Sequence, residues 1–255
     1  MQASVPGLVI LDPPQSGEIN MATDEALLKN ATSDWPIVLR VYQWDRPTLS
    51  LGHFQRLEDR ESDALLAKLP WVRRKTGGGA IVHDLELTYS IVIPNRINQS
   101  TKGHSESLYR SIHLAMIEGL RNLGWDAKLS ESCTCRTSPS QNLGPFLCFL
   151  RRSPVDILVN GDKIIGSAQR RSATGLLQHG SFLLSRSRST PELCGLLDTT
   201  AELISSHQEN LRRKNEFDAS GTLGDWVDFL VHALKAGLGK NLLVNWRNGT
   251  FGDLT

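Results

Sequence analysis

The chain has 255 residues, 40% of them hydrophobic, and its 28 Lys and Arg nearly balance its 27 Asp and Glu. This length suits one large domain with a sizeable core, and the near-neutral charge gives no overall field favouring nucleic acid or a membrane as partner. Because no apolar run approaches the roughly 20 residues that span a bilayer and no signal-peptide pattern opens the chain, we expect a cytoplasmic protein, with a monomer as the default.

The first half of the chain mixes helical and extended patterns. A helix is predicted over 20–29, with Asn20 as its N-cap and with Asp24 and Glu25 near the positive end of its dipole. Extended segments are predicted over 38–44 and 48–54, a short helix over 61–68, and a strand over 85–93. In that last strand the apolar side chains alternate with Glu86, Thr88 and Ser90.

The second half begins with the clearest helical pattern, over 105–123, which ends before Gly124. A polar loop is predicted over 130–144, strands over 146–150, 155–160, 163–168 and 179–184, a linker over 205–220 and a helix over 223–238. Asn160-Gly161 is a strong hairpin signal. Strands and helices do not alternate regularly, which favours an α+β fold with one domain over 1–205 and a linker with a short helical extension over 206–255.

The four cysteines, at 133, 135, 148 and 194, are too few for a disulfide framework in a chain of this length. The spacing in Cys133-Thr134-Cys135 is too short for a typical zinc pair, and no second pair completes four ligands. We therefore predict reduced thiols and no metal site.

The most informative segment is Arg73-Arg74-Lys75-Thr76-Gly77-Gly78-Gly79, which leads into an apolar run ending at His83-Asp84. Three consecutive glycines are unfavourable inside a helix or strand. They suit a backbone that turns with positive φ or lies against a ligand, and the arginines favour the ligand. A tight surface turn is the alternative.

A second motif begins at Lys163, just after the hairpin signal, and continues through the small residues Gly166, Ser167 and Ala168. A lysine at a strand edge commonly points to solvent. Here the small side chains that follow it leave room for a ligand to lie alongside. A histidine and a glycine, His179 and Gly180, follow on the next predicted strand.

Together these two motifs resemble the lipoate–protein ligase and octanoyltransferase family, and the segments 20–25, 39–42 and 51–55 resemble its opening blocks. The similarity covers about residues 8–185. The resemblance implies the biotin/lipoyl ligase catalytic fold, an α+β domain whose mainly antiparallel central sheet is flanked by helices and forms a tunnel for a C8 acyl chain. The glycine loop would close over the tunnel, and Lys163 matches the family's active-site lysine.

Two mechanisms occur in this family. Transferases take an acyl group from a thioester, usually onto an enzyme cysteine, whereas ligases activate a free acid with ATP. Cys148 stands where the resemblance to cysteine-dependent octanoyltransferases expects the nucleophile, and Lys163 would favour its thiolate. A buried structural cysteine is the alternative for Cys148.

The resemblance thus implies octanoyl transfer from an acyl carrier protein to a lysine of a lipoyl domain, either the glycine cleavage H protein or the E2 subunit of a 2-oxoacid dehydrogenase. No cofactor is expected. The alternatives are an ATP- and Mg-dependent lipoate–protein ligase and an inactive carrier-binding module. Arg73 and Arg74 would orient a carrier's phosphopantetheine or the carrier's acidic surface, or be merely exposed, and the two histidines would line the site or be structural. The substrate-binding candidates are Arg73, Arg74, Gly77, Gly78, Gly79, His83, Gly166, Ser167, Ala168, His179 and Gly180.

Overall fold

A mixed eight-stranded sheet organises the protein in this computed structural model, which describes residues 4–32, 34–99, 105–131, 145–199, 222–240 and 242–254. The described strands are β1 (Val5–Leu11), β2 (Ile37–Tyr42), β3 (Thr48–Leu51), β4 (Trp71–Arg73), β5 (Ile81–His83), β6 (Glu86–Pro94), β7 (Ala127–Leu129), β8 (Ile157–Val159), β9 (Asp162–Arg171), β10 (Gly175–Leu183) and β11 (Val244–Gly249). The described α-helices are α1 (Gly17–Lys29), α2 (Asn95–Gln99), α3 (Ser105–Asn122) and α4 (Leu223–Gly239).

The large sheet has the strand order β11-β1-β2-β6-β10-β9-β8-β7, and a small sheet has the order β4-β3-β5. In the large sheet β1 pairs in parallel with β11 and β2, while the other neighbours are antiparallel. The predicted α+β class with a mainly antiparallel sheet flanked by helices is confirmed.

Helices cover both faces of the large sheet. On one face α3 contributes Ile112, Met116 and Leu120, and α4 contributes Trp226 and Leu230, to a core in which each of these side chains is at most 2% exposed. On the other face α1 packs through leucines against β1, β2, β6 and β10. Burying each such side chain contributes about 1.5–3 kcal/mol, so the apolar stripe predicted for α3 anchors one layer of the fold.

The C-terminal segment contributes to this same core and sheet, through α4 and through β11 at the sheet edge. The predicted domain boundary after residue 205 stays a prediction, and the predicted linker over 205–220 lies outside the described residues. Among the helices that the structure describes, none is long and apolar enough to cross a bilayer.

The start of the first helix was wrongly predicted. The helix begins at Gly17, and its N-cap is Ser16, whose hydroxyl accepts from the Ile19 N–H at 3.4 Å. Asn20 lies inside the helix and faces the core, where its side-chain oxygen accepts from Arg40 at 2.8 Å. The buried guanidinium requires polar partners, so this tertiary contact decides the role of Asn20.

The strand predicted over 146–150 is also wrong. Leu147 makes an isolated bridge with Ala80, the Cys148 N–H donates to the Ala80 carbonyl at 2.7 Å, and the chain then turns into a 3-10 helix at Cys148–Leu150. The apolar side chains of this run pack against β3, β5 and Leu183, so its apolar character reflects packing and not strand pairing.

Two shorter predictions have different outcomes. The helix expected over 61–68 is replaced by two 3-10 turns, Glu58–Ser62 and Leu66–Lys68. The hairpin at Asn160-Gly161 is confirmed, since φ is 51° and 94° at these residues, as a type I′ turn requires. The loop predicted over 130–144 falls almost wholly outside the described residues.

Candidate active site

The two residues predicted to carry the chemistry are brought together. Lys163 lies on β9, and its Nζ is 3.6 Å from the Sγ of Cys148. The same ammonium donates to the carbonyls of Cys148 at 3.1 Å and Arg151 at 3.3 Å. Lys163 is 7% exposed, whereas Cys148 is a half-buried free thiol. An ammonium at this distance attracts negative charge on the sulfur, and the thiolate is the nucleophilic form of a cysteine.

An acidic partner fixes the lysine from a second direction. The Asp156 carboxylate lies 2.8 Å from Lys163 Nζ, and it accepts from the Ser153 N–H at 2.7 Å. Burial raises the pKa of Asp156, while the ammonium opposes that rise. Asp156 directly precedes β8, which pairs with β9 so that Leu158 stands opposite Lys163. The β8–β9 hairpin therefore carries both members of the ion pair.

The glycine loop, residues 77–79, lies directly against the thiol segment. Gly78 has φ 94°, and a Cβ on Gly79 would be 2.8 Å from the Cys148 nitrogen, so side chains are disfavoured at both positions. Arg74 is buried and donates to the Gly79 carbonyl at 2.8 Å and the Ser50 carbonyl at 2.8 Å. Burial lowers the pKa of Arg74 to about 10, so the guanidinium stays charged at neutral pH and holds the loop in place.

His83 is fixed by aromatic and polar contacts. Its ring stacks on Trp44 with centroids 3.9 Å apart. Its Nδ1 is 3.0 Å from Glu86 Oε1, and its Nε2 is 2.7 Å from Ser50 Oγ. Burial lowers the pKa of His83, with Glu86 acting in the opposite direction. This imidazole is thus held rigidly at the cavity wall.

His179 connects Thr76, the residue before the glycine loop, to a buried charge network. Its Nε2 is 2.6 Å from Thr76 Oγ1, and its Nδ1 is 3.5 Å from Asp24 Oδ2. Asp24 also accepts from Arg40 at 2.9 Å and from Tyr42 at 2.9 Å. Burial alone would raise the pKa of Asp24, but its hydrogen bond to His179 and the Arg40 charge hold that pKa below its usual value.

A cavity opens beside Cys148 and collects most of the predicted site residues. Those that line it with Cys148 are Arg74, Gly77, Gly78, His83, Gly166, Ser167, Ala168, His179 and Gly180. Gly79 lies against the Cys148 backbone instead. Arg73 is not brought to the cavity: it is exposed and donates to the carbonyls of Gly52 and Gln55 at 3.1 and 2.6 Å.

Sequence reasoning missed several residues of this site. Asp156 was not assigned a role, and its position before a strand paired with that of Lys163 was the available signal. The wall residues Met21, Tyr42, Ile81, Thr88 and Ser181 were not predicted either. The alternation of polar side chains along β6 is the sequence signal for Thr88. Thr88 donates to Glu86 at 2.6 Å, and Glu86 also contacts His83. The structure shows no cluster of three or more His, Cys, Asp or Glu suited to a metal among the residues it describes; Cys133 and Cys135 lie outside them.

The fold and the two motifs place this chain in the lipoyl protein ligase A/B catalytic domain family, whose family model matches residues 16–214. Three relatives are proteins called octanoyltransferase LipM. That of Lysinibacillus sphaericus is 33% identical over 93% of this chain and 87% of the relative. Those of Kyrpidia tusciae and Bacillus subtilis are 40% and 39% identical over 66% of this chain, which spans 62% of the length of each.

Solved structures support the same fold. A lipoate-protein ligase A bound with ATP aligns with a TM-score of 0.59 at 22% identity, covering 96% of this chain and 89% of that one. A bipartite lipoate protein ligase from Thermoplasma acidophilum aligns with a TM-score of 0.59 at 20% identity, covering 97% and 88%. The family resemblance predicted from the motifs is confirmed.

Proposed function

We propose that this protein is an octanoyltransferase of protein lipoylation, which moves an octanoyl group from a carrier-protein thioester to a lysine of a lipoyl domain through an acyl-enzyme on Cys148. The observation that carries the proposal is the 3.6 Å approach of Lys163 Nζ to the Sγ of Cys148, a residue that lines the cavity. The relatives called octanoyltransferase LipM support octanoyl transfer as the activity.

The first step is a thioester exchange. The Cys148 thiolate attacks the carbonyl carbon of the donor thioester, and the bond from that carbon to the donor sulfur breaks. The donor thiolate leaves and takes up a proton. The Lys163 ammonium lies 3.6 Å from the attacking sulfur and stabilises the negative charge that the thiolate carries, and N–H groups of the glycine loop receive the oxyanion, where one such donor contributes about 3 kcal/mol.

The second step forms the amide. The amine of the acceptor lysine attacks the acyl-enzyme carbonyl, the bond to Cys148 Sγ breaks, and the thiolate is restored beside Lys163. The proton lost by the amine passes to the medium or to the Cys148–Lys163 pair. The sum of both steps is thioester plus amine giving amide plus thiol. This exchange is favourable, so we propose that neither a nucleotide nor another cofactor takes part.

The acceptor class rests on the family. The T. acidophilum ligase was solved in a study of that enzyme and its E2 lipoyl domain, and we infer that this chain likewise acts on lipoyl domains, with acyl carrier protein as donor. The purified chain, octanoyl-acyl carrier protein and a lipoyl domain should give the octanoylated domain without ATP, whereas Cys148→Ser and Lys163→Met should not. Product that forms only from free octanoate with ATP, and that persists in Cys148→Ser, would instead identify a ligase.

A further inference from the structure

Helix α3 holds strand β9 at the cavity through two side chains one turn apart. The Tyr109 hydroxyl donates to the Ser167 carbonyl at 2.6 Å and accepts from the Ser167 N–H at 3.1 Å. His113, fully buried, lies with Nε2 2.7 Å from Ser167 Oγ and Nδ1 2.6 Å from the Val155 carbonyl. Since β8 pairs with β9 only as far as Ile165, α3 takes over as the neighbour of β9 at Ser167.

The direction of the hydrogen bonds through His113 follows from its partners. A carbonyl oxygen can only accept, so His113 Nδ1 carries the proton. Burial lowers the pKa of His113 to about 4, so the ring is neutral at pH 7 and its Nε2 accepts from the Ser167 hydroxyl. Ser167 then accepts from Tyr89 at 2.6 Å, and Tyr89 accepts from Gln178 at 3.1 Å. Each group in this chain therefore donates to the next, from Gln178 through Tyr89, Ser167 and His113 to the Val155 carbonyl.

That end point adjoins the ion pair of the candidate active site. Val155 precedes Asp156, whose carboxylate holds Lys163 Nζ at 2.8 Å. The segment is tied from the other side by the Ser130 N–H, which donates to the Asp156 carbonyl at 2.9 Å. His113 is therefore the link from α3 to the backbone that carries Asp156, and it simultaneously fixes Ser167 in the cavity wall.

We propose that His113 is a positioning residue for the transfer reaction: by holding the Val155 carbonyl it sets the place of Asp156, and through Asp156 the place of the Lys163 ammonium beside Cys148. This inference rests on the proposed function, in which Lys163 activates Cys148. It assigns no contact between His113 and the substrate. The reactivity of the Cys148 thiol then depends on the His113 imidazole of α3.

Two amide substitutions separate the two hydrogen bonds of the ring. In His113→Asn the amide nitrogen stands near the position of Nδ1 and keeps the bond to Val155, while the bond to Ser167 is lost. In His113→Gln the amide stands near the position of Nε2, so the bond to Val155 is lost. We expect alkylation of Cys148 by iodoacetamide near pH 7, followed on its own peptide by mass spectrometry, to slow by roughly fivefold or more in His113→Gln. In His113→Asn it should stay within about twofold of wild type.

Exposed His232 on α4 offers the matched control: His232→Gln should alkylate like wild type. A folded His113→Gln with the wild-type rate, or an equal loss in His113→Asn, would overturn the proposal. If His113→Gln does not fold, nitrogen NMR of the wild-type ring decides, because a neutral ring protonated on Nδ1 near pH 7 is required and one protonated on Nε2 refutes it. Lys163→Met distinguishes failure of the proposed function from failure of this inference. An unchanged alkylation rate in Lys163→Met would refute the role of Lys163 itself. A slowed rate in Lys163→Met with a wild-type rate in His113→Gln would refute only the role of His113.

Discussion

Gly166 leaves open the space that the Lys163 side chain occupies: a Cβ on Gly166 would lie 2.7 Å from Lys163 Cε and 3.1 Å from Nζ. We expect Gly166→Ala to fold, because the end of a lysine chain moves more readily than a strand, and to displace the ammonium from Cys148. A misplacement of about 1 Å can cost roughly 100-fold in rate. Octanoyl transfer and Cys148 alkylation should both fall, and steady-state kinetics with thermal unfolding would measure this.

The control for that substitution is Gly239→Ala at the end of α4, where an added Cβ meets nothing within 4 Å. It should leave both rates unchanged. Full transfer activity in a folded Gly166→Ala would show that the position of the ammonium does not matter.

Asp156→Asn tests the buried ion pair. The side chains of Lys163 and Asp156 are 4% and 3% exposed, and removing one partner of a buried pair costs about 3–5 kcal/mol because the other charge stays buried. We expect the free energy of unfolding, measured in urea, to fall by an amount of this order. Glu25→Gln is the matched control, since its pair with Lys75 is half exposed on both sides and should contribute less than about 1 kcal/mol. Equal losses in the two variants would contradict this account.

The depressed pKa of His113 predicts a stability change with pH. Above about 6.5 the ring is neutral in both the folded and unfolded states and contributes nothing to the pH dependence. As the pH falls from about 6.5 to about 4, the unfolded state binds a proton at His113 that the folded state does not bind. The free energy of unfolding therefore decreases over that range, by about 3 kcal/mol in total. His113→Gln should lose this part of the slope in urea titrations at several pH values. A variant with the wild-type slope between these limits would refute the assignment.

Ser16, and not Asn20, is the N-cap of α1. Ser16→Ala removes an N-cap and should cost about 1 kcal/mol. Asn20→Ala removes an acceptor of the buried Arg40 guanidinium, and hydrogen bonds to charged groups contribute about 1.5–3 kcal/mol. Chemical unfolding of the two variants should therefore rank Asn20→Ala as the more destabilised. If Ser16→Ala were the more destabilised variant, the contact of Asn20 with Arg40 would contribute less to stability than the N-cap does.

Sequence patterns predicted what depends on local periodicity and on family motifs. The helix α3, the type I′ hairpin and the pairing of Cys148 with Lys163 follow from such signals. The patterns did not reveal contacts between distant segments. Residue type favours Asn20 as a cap, whereas its bond to Arg40 is tertiary. Apolar composition favours a strand around Cys148, because it does not distinguish strand pairing from packing.

The same limit applies to the two adjacent arginines. Arg73 and Arg74 are adjacent and identical in type. In β4 the middle residue is buried and Arg73 is exposed, so the strand directs Arg73 outward. Arg74, just after the strand, turns inward and contacts the glycine loop. The role of Asp156 likewise depends on a tertiary contact: the Asn160-Gly161 turn predicts that β8 pairs with β9, but not that the Asp156 carboxylate reaches Lys163 Nζ.

The proposed mechanism requires that Cys148 carries the acyl group. Intact-protein mass spectrometry after mixing the chain with octanoyl-acyl carrier protein, without nucleotide, detects this acyl-enzyme. We predict a gain of one octanoyl group that is mapped to the Cys148 peptide, is removed by neutral hydroxylamine and does not form in Cys148→Ala. No adduct on the wild-type chain under conditions in which the lipoyl domain becomes octanoylated, or an adduct that persists in Cys148→Ala, would contradict the account.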